Sequence, residues 1–458
     1  RFVPGPDLPT GGRIVGLAGS EVDAGTILVG KGATFGSAGL VKGNLTVAGT
    51  LSPGAPTGTM TVNGNVTLGA GSTSIFEITP TASDKLLVSG SLSIASGASL
   101  VLDATQAIRP GTSLDLIVAS GGISGSFTSI VKPGNLFGFI VQQQDRLRLL
   151  GQFLNDSGFT PQVQRSIAYT NALIEKQQAN GALLEALPQL LSANGQSNPD
   201  AFARLTPEPY ASIVQFGVEN GLMLADATRD GGYHIEGETK RGFAVAQVLG
   251  GWRRLSGNTA EGVSEARSNS YGVLGGLGFG SESWSVAAFG GYLNGDQKLQ
   301  GLDARTDADG YIVGVQARYA TGPLRLGAML AYSGLDAHTV RAVPGAQQAQ
   351  GTFRLKSWIA DASLAYEAPL GGDWAVQPRV GLSFVSTSRQ GLTEFGGSPW
   401  NLTVAEGSHD ALFADGAVRL TRAWDSPETF RPFLHLGLRY QLSGKDTSAL
   451  AGFGGGSL

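Results

Sequence analysis

Tyr311-Ile312-Val313-Gly314-Val315-Gln316-Ala317-Arg318-Tyr319 is the stretch on which the fold turns. Read every second residue, it runs Tyr311, Val313, Val315, Ala317, Tyr319, apolar throughout and bounded by tyrosine at each end. A period of two is the mark of a β-strand with unlike faces. The same phrase recurs at 271–279, 284–292 and 358–366, each time with aromatics at both ends, eight positions apart. Looser copies occupy 324–332, 374–384 and 430–440. Eight strand steps span about 26 Å, or about 20 Å once the strand tilts by roughly 40°. That is close to the apolar band of an outer-membrane barrel, which lies between two aromatic girdles.

The alternate positions carry the charge. Arg318, Arg325, Asp361, Arg379, Asp415, Arg419, Arg431 and Arg439 fall on the other face, with Gln316, Gln377 and His435. A soluble sandwich also alternates, so alternation alone does not decide between water and lipid. The paired aromatics do. A dry core has no reason to place Trp and Tyr at both ends of each strand, whereas their amphipathic rings suit two membrane interfaces. The predicted girdle comprises Tyr271, Phe279, Trp284, Tyr292, Tyr311, Tyr319, Tyr332, Trp358, Tyr366, Trp374, Phe384, Phe430 and Tyr440. The eight charged residues above are the predicted lumen surface.

Further strands read at 242–252 and 412–421, with a weak one at 400–404, giving about ten. Links 280–283, 320–323 and 367–373 are short, whereas 293–310 and 333–352 read as long polar loops. Short turns on one side and long extracellular loops on the other are the habit of such barrels.

Upstream, residues 12–150 have a different grammar. Gly43-Asn44-Leu45-Thr46-Val47, Gly64-Asn65-Val66-Thr67-Leu68 and Gly90-Ser91-Leu92-Ser93-Ile94 are variants of one unit at spacings of 21 and 26 residues. Such a period predicts a parallel β-solenoid whose Leu45/Val47, Val66/Leu68 and Leu92/Ile94 face a stacked core. Glycine is expected to supply positive-φ corners between coil faces. The Asn-x-Thr triplets beginning at Asn44, Asn65 and Asn401 match a glycosylation acceptor, but Asn and Thr are common in such turns.

Between the two lies the helix-rich stretch. Helices are expected at 167–178, at 182–191 with Pro188 kinking or ending it, and from Pro209 towards Arg229, with Gly231-Gly232 as the stop. Asn198-Pro199-Asp200 reads as a break.

Composition excludes much chemistry. The 458 residues include 69 Gly and no Cys, so there are no disulfides, thiolate metal sites or cysteine nucleophiles. A net charge of -4 gives no case for nucleic acid. The four His all lie at or beyond His234, so residues 1–233 cannot hold a Ser–His–Asp triad or a His metal site of their own. Gly276-Leu277-Gly278-Phe279-Gly280 sits in a strand and lacks the spacing of a dinucleotide fingerprint. No catalytic, cofactor-binding or metal-binding residue is expected, and the chain is not read as an enzyme. Arg1-Phe2-Val3-Pro4 lacks a signal peptide, which suggests a mature chain or a fragment.

A solenoid, a helical connector and a barrel, in that order, resemble the monomeric autotransporters of Gram-negative bacteria (type V secretion), with a pertactin-like passenger end. The local marks are Gly49-Thr50-Leu51-Ser52-Pro53-Gly54, Ser83-Asp84-Lys85-Leu86-Leu87-Val88-Ser89-Gly90 and Leu205-Thr206-Pro207-Glu208-Pro209-Tyr210-Ala211-Ser212. The resemblance implies a mainly β chain. Residues 1–150 would be the end of a right-handed parallel β-helical passenger, with an autochaperone-like segment at about 85–150. Residues 151–236 would be a short helical linker and lumen helix, and 237–458 a transmembrane antiparallel β-barrel. It implies an outer-membrane translocator and anchor that displays its own passenger, adhesin-like or, alternatively, an esterase or protease lying upstream. Implied partners are outer-membrane lipid, the barrel-assembly machinery, periplasmic chaperones and a host-surface ligand, for a monomeric chain. Family barrels have twelve strands and end in an aromatic residue; this chain ends in Gly454-Gly455-Gly456-Ser457-Leu458, so the final strands are expected to be missing.

Overall fold

A computed structural model describes residues 7–8, 11–54, 57–104, 108, 112–133, 136, 138–176, 178–193, 196–230, 240–371, 374–422 and 433–454. The chain divides into two compact units, and the division passes through a helix between Ser166 and Ile167. One unit holds residues 1–157, 167–178 and 191–198; the other holds 158–166, 179–190 and 199–458.

In the first unit the repeat stacks as its spacing predicts. Leu45 lies beside Val66, Val66 beside Leu92 and Leu92 beside Ile123, all in parallel register. Met60, Leu86 and Ile117 form a second inward column. A separate sheet sets Phe35 beside Leu51 and Leu102 beside Phe76. These side chains fill one apolar core in which Leu45, Leu51, Met60, Phe76, Leu86 and Leu92 are wholly buried. No single coil could do this, because each contributes only one inward row.

Glycine supplies positive-φ corners as expected, at Gly32, Gly54, Gly71, Gly97 and Gly122 among others, but two details are new. Of the three glycines that open the repeats, only Gly43 has a positive φ (124°). Gly64 and Gly90 are there because backbone stacks on backbone: a Cβ on Gly64 would lie 2.3 Å from the Gly43 carbonyl oxygen, and one on Gly90 2.7 Å from that of Gly64. The second detail is the end of the stack. Strand Ser113–Ala119 pairs antiparallel with Arg146–Leu150, which pairs antiparallel with Phe139–Gln142. A hairpin thus follows the parallel coils and covers an otherwise open sheet edge.

The asparagines of the repeat have a structural use. Asn44 Oδ1 accepts from the Asn65 amide (2.9 Å), and Asn65 Oδ1 accepts from the Ser91 amide (2.9 Å) and hydroxyl (3.1 Å). Each side chain ties its turn to the next coil. Asp84, within the motif beginning at Ser83, is buried and accepts from the backbone amides of Gly58 (3.0 Å) and Glu77 (2.8 Å). Burial pushes its carboxyl up to about 6, against the opposing pull of those two donors.

Among the described residues four α-helices follow: α1 (Pro161–Glu175), α2 (Gly181–Ala186), α3 (Pro199–Ala203) and α4 (Glu208–Asp230). Asn180 caps α2, its Oδ1 accepting from the Leu183 amide. At Pro188 the helix has already tightened into a 3-10 turn, Leu187–Leu190. The expected break at Asn198-Pro199 is instead the start of α3, with Pro199 at a first-turn position where it loses no bond. Gly231 and Gly232 lie outside the described residues.

The second unit is built on an antiparallel meander. Its long strands are β1 (Arg241–Leu255), β2 (Ala266–Gly280), β3 (Trp284–Leu299), β4 (Ala304–Thr321), β5 (Leu324–Val343), β6 (Gln347–Tyr366), β7 (Trp374–Arg389), β8 (Gly407–Arg422) and β9 (Phe433–Ser443). With a short strand at Ala368–Gly371 they make a ten-stranded sheet in chain order. Among the described residues β1 pairs only with β2 and β9 only with β8.

The expected long loops 293–310 and 333–352 are mostly strand. β3 and β4 pair out to Leu299 and Ala304, and β5 and β6 out to Val343 and Gln347, joined by tight turns. The alternation fades there because outward side chains beyond the aromatic row are polar, although the backbone ladder continues. The weak strand at 400–404 is not in this sheet. Thr403–Val404 pairs with Leu392–Thr393 and Ala451–Gly452 in a small separate sheet.

Candidate functional site

The two faces of the ten-stranded sheet meet different surroundings. On one face stand the predicted girdle residues. Tyr271, Phe279, Tyr292, Tyr311, Tyr319, Trp358, Tyr366, Trp374, Phe384 and Tyr440 are all exposed, and Trp284 and Tyr332 are partly so. They form two rows. Tyr292 pairs with Tyr311 and Tyr332 with Trp358 in one row; Trp284 pairs with Tyr319 in the other. Ring contacts join neighbours within a row: Tyr332 lies 6.1 Å from Tyr311 and 5.1 Å from Trp358, and Phe279 lies 6.1 Å from Trp284. Phe430 and Arg431 lie outside the described residues. Trp252, 76% exposed, stands on this face too, although its strand lacks the paired aromatic that would have flagged it.

The other face holds α4, which packs against β1 through β8. The helix can come this close because small residues recur every four positions along one stripe. A Cβ on Gly217 would lie 2.6 Å from Thr387 Cγ2, and one on Gly221 2.9 Å from Val385 Cγ1. On the sheet, Gly295 leaves room for the Phe216 ring, Gly351 for the Tyr210 hydroxyl and Gly381 for the Arg229 guanidinium. The glycines of β2 do not serve the helix. Gly272 and Gly276 face the backbone of β3, Gly278 makes way for the Phe243 ring, and Gly275 faces open space.

Charge fastens the helix at its last turn. Arg229 Nε donates to Asp361 (2.7 Å), its terminal nitrogens donate to Asp361 and Asp415, and Ser383 accepts at 3.1 Å. All three charged side chains are almost fully buried. Arg318 donates to the Thr228 carbonyl (2.6 Å), and Arg439 pairs with Asp226. Thus Asp361, Asp415, Arg318 and Arg439, four of the predicted lumen residues, converge on the end of α4. Arg379 and Arg419 line a polar cavity of about 470 Å³ beside it. Arg325 lines the same cavity from a turn, where it is half-exposed and pairs with Glu367 (3.2 Å).

The first turn of α4 is held by residues outside the predicted set. Glu208 accepts from the Ser264 amide (2.6 Å) and hydroxyl (3.2 Å). The Tyr210 hydroxyl donates to Glu394 (2.6 Å), and its ring packs edge-on to Phe353 at 5.7 Å. Arg389 donates to the Tyr210 carbonyl (3.1 Å). Arg341 and Arg389 have the same parity as Arg325 and Arg379 on β5 and β7, so continuing each strand beyond its aromatic would have found them. Glu394 had no such signal, because it lies in a loop. The chemistry of the arrangement is the holding of one helix in a polar interior.

Residues 244–458 match the autotransporter beta-domain family. Among solved structures, the translocator domain of autotransporter NalP from Neisseria meningitidis is similar at 16% identity and a TM-score of 0.43, over 52% of this chain and 79% of that one. No curated protein sequence matches the chain. With an antiparallel meander whose aromatic face is exposed and whose polar face encloses a helix, residues 244–458 match the autotransporter beta-domain, an outer-membrane barrel that anchors an exported passenger at the cell surface.

Proposed function

We propose that this protein is an outer-membrane translocator whose own N-terminal passenger is an adhesin-like β-helical stem. In this reading residues 1–150 are the passenger end, with 85–150 promoting its folding. Residues 151–236 link it to the barrel and supply the lumen helix, and 237–458 are the barrel. The observation that carries the reading is the division of the sheet into an exposed aromatic face and a charged face fastened to α4. The two aromatic rows meet the lipid interfaces, and Asp361, Asp415, Arg318 and Arg439 hold α4 as a plug. Arg379, Arg419 and Arg325 line the wet lumen end. Outer-membrane lipid and the barrel-assembly machinery are the partners of the barrel; a host-surface ligand is the partner of the passenger.

The full-length protein is expected to be extractable only with detergent and to shift its gel mobility on heating, as closed barrels do. Remaining in solution without detergent would end the reading. Cells displaying the full-length protein are expected to bind a host-cell surface that cells lacking it do not. Ester or peptide hydrolysis by those cells, without adhesion, would favour an enzyme's anchor instead.

A further inference from the structure

The segment from Gln390 to Glu406, which joins β7 to β8, places a carboxylate where the sheet does not need one. Both oxygens of Glu394 are fully used. One accepts from Arg341 Nε (2.7 Å) and the Tyr210 hydroxyl (2.6 Å); the other accepts from an Arg341 terminal nitrogen (2.7 Å) and the Leu402 amide (2.6 Å). Arg341 also donates to the carbonyls of Trp400 (2.7 Å) and Arg204. Arg389 bridges the Tyr210 carbonyl (3.1 Å) to that of Ala405 (2.5 Å). Trp400, wholly buried, donates from its indole nitrogen to Gln189 (2.9 Å).

The ladders β5–β6 and β7–β8 are complete without any of this. A buried ion pair is a poor source of stability, because desolvation offsets its attraction; its best-attested use is to select one arrangement over others. Here the selection depends on α4. Without the first turn of that helix, Glu394 loses the Tyr210 hydroxyl, and Arg389 loses the carbonyl that ties it to the helix. We propose that Glu394 is a latch: it closes the loop 390–406 over the barrel mouth only when Tyr210 is seated, so the arrival of the helix shuts the pore at that end. Closure here is separate from the grip of Asp361 and Asp415 on Arg229 at the other end of α4. The proposal rests on the reading of α4 as a plug.

The test is single-channel conductance of the full-length protein, purified from outer membranes and placed in planar bilayers in potassium chloride. Glu394→Gln removes one charge of the pair; the double variant Arg341→Met with Glu394→Met removes both, so neither partner's charge is left buried alone, and covers the case in which the single variant does not fold. Both are expected to raise the fraction of time spent conducting by about tenfold or more, tenfold being a shift of about 1.4 kcal/mol between the two states. Hydrogen exchange at the Leu402 amide should quicken while the amides of β5 stay protected. A third protein lacking residues 208–230 reports on the plug itself. Conductance raised by that deletion but unchanged in both latch variants overturns the latch and spares the plug. No rise on deletion overturns the plug and the latch with it.

Discussion

In the stem, Leu45, Val66 and Leu92 point inward and Thr46, Thr67 and Ser93 outward. In the barrel, Val313, Val315 and Leu330 point outward, and Asp361, Arg318 and Asp415 inward. Both regions alternate with period two, and both place apolar side chains on one face only. They differ in which face meets the interior, and that follows from what lies outside. Water around the stem drives its apolar rows into a core. Lipid around the barrel accepts such rows directly, so the interior is left to polar groups. Glycine divides the same way: Gly64 and Gly90 let coil stack on coil, while Gly217, Gly221 and Gly381 let a helix and its arginine approach a wall.

The sharpest way to break this comparison is to attack the polar interior. Arg229→Met leaves Asp361 and Asp415 buried without their cation, and should cost the docked helix about 3–5 kcal/mol. Hydrogen exchange along α4 in detergent would register it as lost protection at the last turns; unchanged protection would mean that the charged face does not hold the helix.

The apolar faces offer the mirrored test. Leu45→Ala opens a void in the stem core and should destabilise the stem by about 2–5 kcal/mol, seen as a lowered urea midpoint for protease resistance of residues 12–150. The exposed Leu330 of β5 is the counterpart. Leu330→Arg should cost about 2–4 kcal/mol if that face lies in lipid, against roughly 0.5 kcal/mol or less if it lies in water. Refolding titrations into lipid vesicles distinguish the two values.

The smallest expected effect concerns the stem alone. The Asp84 carboxyl titrates at about 6 in the folded stem against 3.8 ordinarily, so the native state binds the proton more tightly. The stability linked to this proton is fully present below about pH 4 and is lost as pH rises through 6, an effect on the order of 2–3 kcal/mol. Stem unfolding should therefore need more urea at pH 4.5 than at pH 7.5. Asp84→Asn should flatten that difference, and an unaltered pH profile in the variant would assign it to other groups.

How much of this was legible follows from sequence distance. The stem repeats are 21 and 26 residues apart, and Leu45, Val66 and Leu92 stand in register as their motifs imply. The wall strands were equally legible, since Tyr311 and Tyr319 announce their face within nine residues. The ends of the strands were not. Beyond Tyr332 the outward positions turn polar, the alternation fades, and β5 continues to Val343 unannounced. The grip on α4 was half legible: Asp361 and Asp415 stood out as inward charges, but their partner Arg229 lies 132 and 186 residues away. Glu394 was silent, because a carboxylate in a loop is ordinary until its neighbours are known.

The sequence by itself therefore determined two β architectures and a helical stretch between them, because alternation, repeat length and the placing of aromatics are local properties of a strand. Only the tertiary structure decided which charges meet. Arg229 with Asp361, and Arg341 with Glu394 and Tyr210, become pairs because the sheet curves around α4 and excludes water there. In a dry interior each buried charge must find its partner among whatever segments the fold brings within reach.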